Sequence, residues 1–251
     1  MNTNNRIEKD EIIGEKYKLI RLITKGTFSS VYECEHILKG TRSVIKMESD
    51  STAKKLMKHE IKMYLSLQKS RVRIPKIKNT GEHGDHHYMI LELLDKSLRS
   101  YQGEISVYDL YKQLYLLHNE GIVHRDIKPD NFVIGFDKKI YMIDLGLAKY
   151  QDQNVSTRFI GNKRYASPTC FKANYIYQKK DDIVSLTYMI LDLKYGFLPW
   201  DYEGYNEIER SSIDLSRFYP NESLCELLKL ELLDYNMVFN IIHKTKDIIN
   251  I

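Results

Sequence analysis

A chain of 251 residues is long enough to bury a substantial core, as one large domain or as two lobes sharing a cleft. Its formal net charge of +4 is too mild for a general nucleic-acid binder, and it has no apolar run of the length a membrane span needs. Residues 1–5 lack the apolar core of a secretion signal, and three dispersed cysteines (Cys34, Cys170, Cys225) suit reduced structural thiols, so an intracellular protein, cytoplasmic or nuclear, is expected.

Residues 1–15 are polar and charged and read as an N-terminal arm. Residues 17–23, 31–35 and 43–47 carry the apolar and β-branched pattern of three strands, with a turn at 25–30, and imply a small antiparallel sheet. From 53 to 68, Leu56, Met57, Ile61, Tyr64, Leu65 and Leu67 recur at helical spacing among lysines. The basic strip Lys69, Arg71, Arg73, Lys76 and Lys78 reads as a solvated loop and strand edge. His83, Asp85, His86 and His87, framed by Gly81 and Gly84, read as a surface hairpin turn rather than a metal site. Residues 88–91 return to the sheet, and 92–96 leave it.

The remainder reads as mostly helical. Leu110, Leu114, Leu117 and His118 mark a helix ending at Gly121, followed by short strands at 132–134 and 140–143. A helix from about Asp181 stops at Gly196, and two more follow Pro220, at 224–228 and 238–249. The expected class is therefore α+β, with a β-rich lobe over 16–94 and a mainly helical lobe over 95–251.

The chemistry concentrates in His124-Arg125-Asp126-Ile127-Lys128-Pro129-Asp130-Asn131, with Asp144-Leu145-Gly146 beginning eighteen residues after Asp126. A carboxylate able to accept a hydroxyl proton, a nearby lysine, an amide oxygen and a second carboxylate for Mg²⁺ are what transfer of a γ-phosphate to an alcohol requires. Eight contiguous positions and the spacing make this pattern specific. It resembles the eukaryotic protein kinases. Arg164-Tyr165-Ala166-Ser167, Asp181-Asp182, Glu92-Leu93-Leu94 and Leu198-Pro199-Trp200 narrow the resemblance to the casein kinase I family, from about Tyr17 to the C-terminus. The vaccinia-related kinases, a sister group, are the nearest competing assignment.

The resemblance implies a bilobal, monomeric Ser/Thr protein kinase using ATP and Mg²⁺ and acting on protein substrates. Lys46 would aim at phosphate oxygens, braced by Glu60. Asp126 would be the substrate-orienting base, and Lys128 would contact the transferring phosphoryl group. Asn131 and Asp144 would supply oxygens to the metal. Adenine would lie against Glu92, Leu93 and Leu94, with Ile23, Val31, Val44 and Ile143 as apolar walls and Leu91 at the rear. Gly26 and Ser29 belong to the turn over the phosphates. Arg164, with Lys163 beside it, would contribute to a pocket for acidic or phosphorylated substrate residues, although a structural role suits Arg164 equally.

Several positions depart from the family pattern. The glycine-rich turn keeps only Gly26, with Thr24 and Ser29 in the other glycine positions. Leu145 replaces a phenylalanine conservatively, and Asn162 stands where a threonine is usual. Acidic Asp201, Glu203, Glu207 and Glu209 follow the Pro-Trp pair, which weakens the case for primed or acidic substrates. Ser156 and Thr157 are candidate phosphosites within reach of Arg125. These departures suggest the main rival, a pseudokinase acting as an ATP-binding or regulatory module. Retention of every catalytic polar group argues against it.

Overall fold

The computed structural model describes residues 10–26, 29–48, 51–153, 159–202, 206–207, 209–220, 222–230, 234–243 and 248–251, without the side chains of 51–55 and 153. The chain divides into two compact units, one made of the described residues within Met1–Lys69 and Ile74–Leu94, the other of those within Ser70–Arg73 and Asp95–Ile251. Both helices and sheet are present, as the α+β expectation requires.

The first unit contains β1 (Ile12–Ile13), β2 (Tyr17–Lys25), β3 (Ser29–His36), β4 (Arg42–Glu48), α1 (Ser51–Leu67), β5 (Ile77–His83) and β6 (His86–Glu92). The six strands form one antiparallel sheet in the order β1-β2-β3-β4-β6-β5. Strand alternation sorts β4 into two faces: Ser43, Ile45 and Met47 are buried, while Val44 and Lys46 point the other way. Ile45 and Met47 join Ile13, Tyr17, Leu19, Cys34, Tyr88 and Ile90 in one core. Ile13 lies within the stretch read as an arm, yet it is fully buried there through the pairing of β1 with β2.

Helix α1 packs on β4 and β6. Its buried stripe is Met57, Glu60, Met63, Tyr64 and Leu67, whereas Leu56 and Leu65, apolar and at the same helical spacing, face solvent. The basic residues of the 69–78 strip are exposed apart from half-buried Arg73. His83 pairs with Glu11 and His87 with Glu82 around the β5–β6 turn. Among the described residues, no group of three or more His, Cys, Asp or Glu side chains is arranged to hold a metal ion.

The second unit contains β7 (Glu104–Ser106), α2 (Val107–Asn119), β8 (Ile122–Val123), β9 (Phe132–Ile134), β10 (Ile140–Met142), β11 (Lys149–Tyr150), α3 (Lys179–Tyr195), α4 (Leu224–Lys229), α5 (Tyr235–Ile242) and β12 (Ile248–Asn250). Ser106 caps α2 by accepting the Asp109 amide at 3.1 Å. Gly196 ends α3 with φ +80, where a side chain would be strained, and its amide returns to Asp192 O. Every residue of α3 from Asp181 to Asp192 is buried, so this helix is the unit's axis, packed against α2 and α4. Its interior hydroxyls are satisfied locally. Ser185 donates to Asp181 O, Thr187 donates to Ile183 O, and Tyr111 meets Thr187 Oγ1 at 2.7 Å.

The last expected helix, 238–249, requires correction. α5 ends at Ile242, and Ile248–Asn250 form β12, antiparallel to β7 with Ile249 opposite Ile105. A three-residue strand depends on a partner some 140 positions earlier, which no local periodicity registers. Among the described residues no helix is long and apolar enough to cross a membrane. All three cysteines are free and buried, and burial pushes the Cys34 thiol up to about 12 and the Cys225 thiol up to about 11.

Strand geometry in β12 places buried Ile249 and half-exposed Ile248 on opposite faces. Ile249→Ala is expected to lower unfolding free energy by about 2–3 kcal/mol and Ile248→Ala by less than about 0.5 kcal/mol, read by urea denaturation. Equal losses would refute the strand.

Candidate active site

Register in the first unit gathers one set of side chains. Val31 is opposite Lys46, Thr24 opposite Val31, and Val44 opposite Leu91, so these residues share the sheet face away from the Ile45–Met47 core. Lys46 Nζ donates to Glu60 Oε2 at 2.7 Å, with the Glu60 side chain 2% exposed and that of Lys46 14%. Glu60 is the acidic residue in the middle of an otherwise apolar stripe of α1, a position a carboxylate occupies only when a cation meets it. Gly26 N donates to Ser29 O at 2.8 Å, closing the β2–β3 turn. Phe28, in the same turn, lies outside the described residues. Ile23 is exposed, Leu91 is buried, and Val44, Glu92, Leu93 and Leu94 are half-buried. Glu92 N donates to Lys76 O at 2.9 Å, and Lys76 N donates to Glu92 Oε2 at 3.3 Å.

In the second unit the loop between β8 and β9 folds around the Asp182 carboxylate. Asp182 Oδ2 accepts the amide of His124 at 2.7 Å, and Oδ1 accepts the amide of Arg125 at 3.0 Å. That clamp holds Arg125 at φ +72, a left-handed conformation uncommon for a residue with a side chain. Asp126 follows. Its Oδ2 accepts from Lys128 Nζ at 2.7 Å and from Asn131 Nδ2 at 3.0 Å, and Asn131 Nδ2 also donates to Asp126 O at 2.8 Å. Ile143 N donates to Asn131 O at 2.9 Å, and His124 Nε2 lies 3.3 Å from Ile143 O, so the loop and the strand leading to Asp144 are tied together. Asp144 itself is left-handed, φ +59, before a 3-10 turn that buries Leu145 completely.

This geometry brings Asp126, Lys128 and Asn131 into one hydrogen-bonded group and makes Asn131 the partner of Asp126. A carboxylate with one oxygen occupied by an ammonium and an amide keeps its second oxygen for a proton in transit. The family model of the protein kinase domain matches residues 17–229. The chain belongs to the protein kinase family.

Kinase domains generally use ATP and Mg²⁺, and the donor set of this kinase fits the metal. With both Asn131 donors spent on Asp126, the amide is oriented so that Oδ1 is the group left to accept, and Asp144 adds a carboxylate. Two hard oxygen donors suit a Mg²⁺ ion that retains phosphate oxygens and waters as its other ligands.

The segment after Asp144 is anchored at several points in this kinase. β11 pairs with β8, Phe159 stacks on Phe171 at 4.4 Å, and Gly161 passes over the loop backbone. Asn162 Oδ1 accepts the Arg164 amide at 2.9 Å, a local turn bond. Arg210 donates to Lys163 O at 2.6 Å and lies over Trp200, whose Nε1 donates to Arg164 O at 3.0 Å. Ser156 and Thr157 lie outside the described residues. The Arg164 guanidinium bonds Asp192 at 2.7 Å and also Asp201, and Lys163 meets Glu207 at 3.3 Å. Tyr165 donates to the other Asp192 oxygen at 2.6 Å.

Neither Gly161 nor Arg210 was picked out by the sequence. The glycine carries no motif, and the importance of Arg210 depends on carbonyls 46 or more positions away. Gly161 has φ +110, and a Cβ there would stand 2.3 Å from Arg125 O. Gly161→Ala is therefore expected to cost more than about 3 kcal/mol, through backbone strain and overlap with the loop between β8 and β9. Chemical denaturation of the variant gives this number, and a loss below about 1 kcal/mol would contradict the close approach.

Proposed function

We propose that this kinase transfers the γ-phosphate of ATP to Ser/Thr hydroxyls of proteins, in the manner of the casein kinase I family. The observation that carries the reading is the Lys128–Asp126–Asn131 group, where one aspartate oxygen is fixed by two donors. Asp126 then orients a substrate hydroxyl and takes its proton through the remaining oxygen. Lys128, already beside that carboxylate, supplies positive charge to the transferring phosphoryl group, and a lysine two residues after the base is the Ser/Thr-type arrangement. Lys46, held by Glu60, grips phosphate oxygens, while Val31, Val44, Ile23 and Leu91 offer apolar contact to the purine and the 92–94 backbone reads its edge. Gly26 and Ser29 bring main chain close to the phosphates. When bound, Mg²⁺ shields phosphate charge, and Asn131 and Asp144 are the residues that hold it.

Asp144→Ala is expected to lower kcat by several orders of magnitude while the circular dichroism spectrum and melting midpoint stay near those of the unsubstituted protein. Casein and a Ser/Thr peptide, with Mg²⁺-ATP at saturation, are the substrates to use. An unsubstituted protein that binds nucleotide but transfers nothing would favour a pseudokinase module.

Substrates with acidic or phosphorylated residues are accepted but weakly preferred, because Arg164 and Lys163 already face carboxylates. Matched peptides with and without an upstream phosphoserine should differ by less than about tenfold in kcat/KM, a gap under 1.4 kcal/mol. Arg164→Ala should leave that ratio unchanged and reduce stability by about 1–2 kcal/mol, its side chain being partly open to solvent. A larger preference that disappears in the variant would restore Arg164 as the anion site.

A further inference from the structure

Asp182 receives four donors within 3.0 Å. The His124 and Arg125 amides were described above; the others are the Tyr177 hydroxyl at 2.8 Å on Oδ1 and His118 Nε2 at 2.9 Å on Oδ2. The side chains of His118 and Asp182 are 1% and 0% exposed, so the arrangement is shielded from bulk solvent. An ionised carboxylate only accepts, which makes His118 Nε2 the protonated nitrogen. In a neutral imidazole Nδ1 is then an acceptor, and the Tyr235 hydroxyl lies 2.7 Å from it and donates. Burial holds the His118 ring below its ordinary pKa despite the neighbouring carboxylate, and burial together with the charge of Asp182 raises the Tyr235 hydroxyl well above its own. Ring and phenol are thus both neutral, with every polar hydrogen on this path assigned.

Tyr235 comes from α5, more than a hundred residues beyond α2, and packs edge-on against Tyr115 at 4.9 Å and against the His118 ring at 5.6 Å. We propose that Tyr235 is a positioning residue: its hydroxyl fixes the rotation of the His118 ring, which keeps Asp182 aligned on the two amides that shape the catalytic loop. Without the hydroxyl, buried Nδ1 loses its partner and the ring loses the contact that sets its angle. The imidazole N–H then drifts off Oδ2, the carboxylate is released to turn, and Arg125 is held less firmly in its left-handed conformation. Asp126 is the next residue, so the expected loss falls on the chemical step. Nucleotide contacts made by other residues are unaffected.

This role rests on the kinase reading, and two readouts separate them. Tyr235→Phe removes one oxygen, and Tyr115→Phe, whose ring belongs to the same aromatic group, is the packing control. In the unsubstituted protein and both variants, kcat and KM for ATP are measured with a saturating peptide, below the melting midpoint of each protein. The histidine ring nitrogens are observed by ¹⁵N NMR on the same samples. Tyr235→Phe is expected to lower kcat about tenfold with KM for ATP unchanged within about twofold, the loss of one buried hydrogen bond acting on the transition state. The His118 Nδ1 resonance should move while its Nε2 stays protonated, and Tyr115→Phe should behave as the unsubstituted protein does. Unchanged kcat in Tyr235→Phe, an unmoved His118 resonance, or an equal loss in Tyr115→Phe would each overturn the positioning role alone. An unsubstituted protein inactive on every peptide, with the His118 resonance still responding to Tyr235→Phe, would overturn the kinase activity and the catalytic part of this role while leaving the hydrogen bond intact.

Discussion

Asp182 is fully buried at the start of the helix that forms the axis of the second unit, and a carboxylate in that position survives only if its lone pairs are occupied. Burial pushes its pKa up. The hydrogen bond from His118, followed by that from the Arg125 amide, outweighs burial and holds it below the usual carboxylate range. The resulting anion is what keeps the loop before Asp126 in shape. Left-handed Arg125 costs about 1–3 kcal/mol, whereas each hydrogen bond to a buried charge contributes about 1.5–3 kcal/mol, so the two amide contacts outweigh the strain. The strained backbone is therefore a consequence of a helix residue, and the orientation of Asp126 inherits the rigidity of α3.

The first unit meets a related constraint. Glu60 sits among Met57, Met63, Tyr64 and Leu67, and the cation it requires comes from Lys46 on β4. Such a pair contributes little net stability relative to a hydrophobic replacement, because desolvation of both charges offsets their attraction. What the pair does is hold an ammonium at a fixed place on the sheet face with Val31 and Val44. The exposed pair of Lys18 and Asp10, at 2.9 Å with both side chains at least half open, has no such constraint and is of little energetic weight.

Strands β2, β3 and β4 and helices α1, α2 and α3 were legible because each carries its own periodicity or stop signal: alternation in 43–47, and Gly196 after the last turn of α3. The residues Lys46, Asp126, Lys128, Asn131 and Asp144 were singled out for another reason, since their types and spacing constitute a chemical inventory, and of these Asp126, Lys128 and Asn131 meet in one hydrogen-bonded group. What escaped were features whose cause is distant. β12 depends on β7, the turn at Gly161 depends on Arg125 O, and the acceptors of Arg210 are two carbonyls of another segment. Leu56 and Leu65 show the converse limit: they share the helical spacing of the apolar residues of α1, yet the packing geometry turns both outward.

Arg164 shows why a residue type at a family position does not settle its role. A guanidinium has five donors and serves a carboxylate of its own chain as readily as a phosphate of another molecule. Here Asp192, 9% exposed at the C-terminal end of α3, takes one arm together with the Tyr165 hydroxyl, and Asp201 takes the other. A substrate anion approaching this arginine would have to displace carboxylates that are already oriented, and withdrawing the arginine would strand Asp192 with only the phenol for compensation. Asp201 and Glu207, which at first sight only weaken an anion site, thus have a structural role as partners of Arg164 and Lys163, while Glu203 lies outside the described residues. Asp201 fixes Arg164, Arg210 and Trp200 fix the backbone at Lys163 and Arg164, and the guanidinium becomes part of the wall that supports the segment following Gly161.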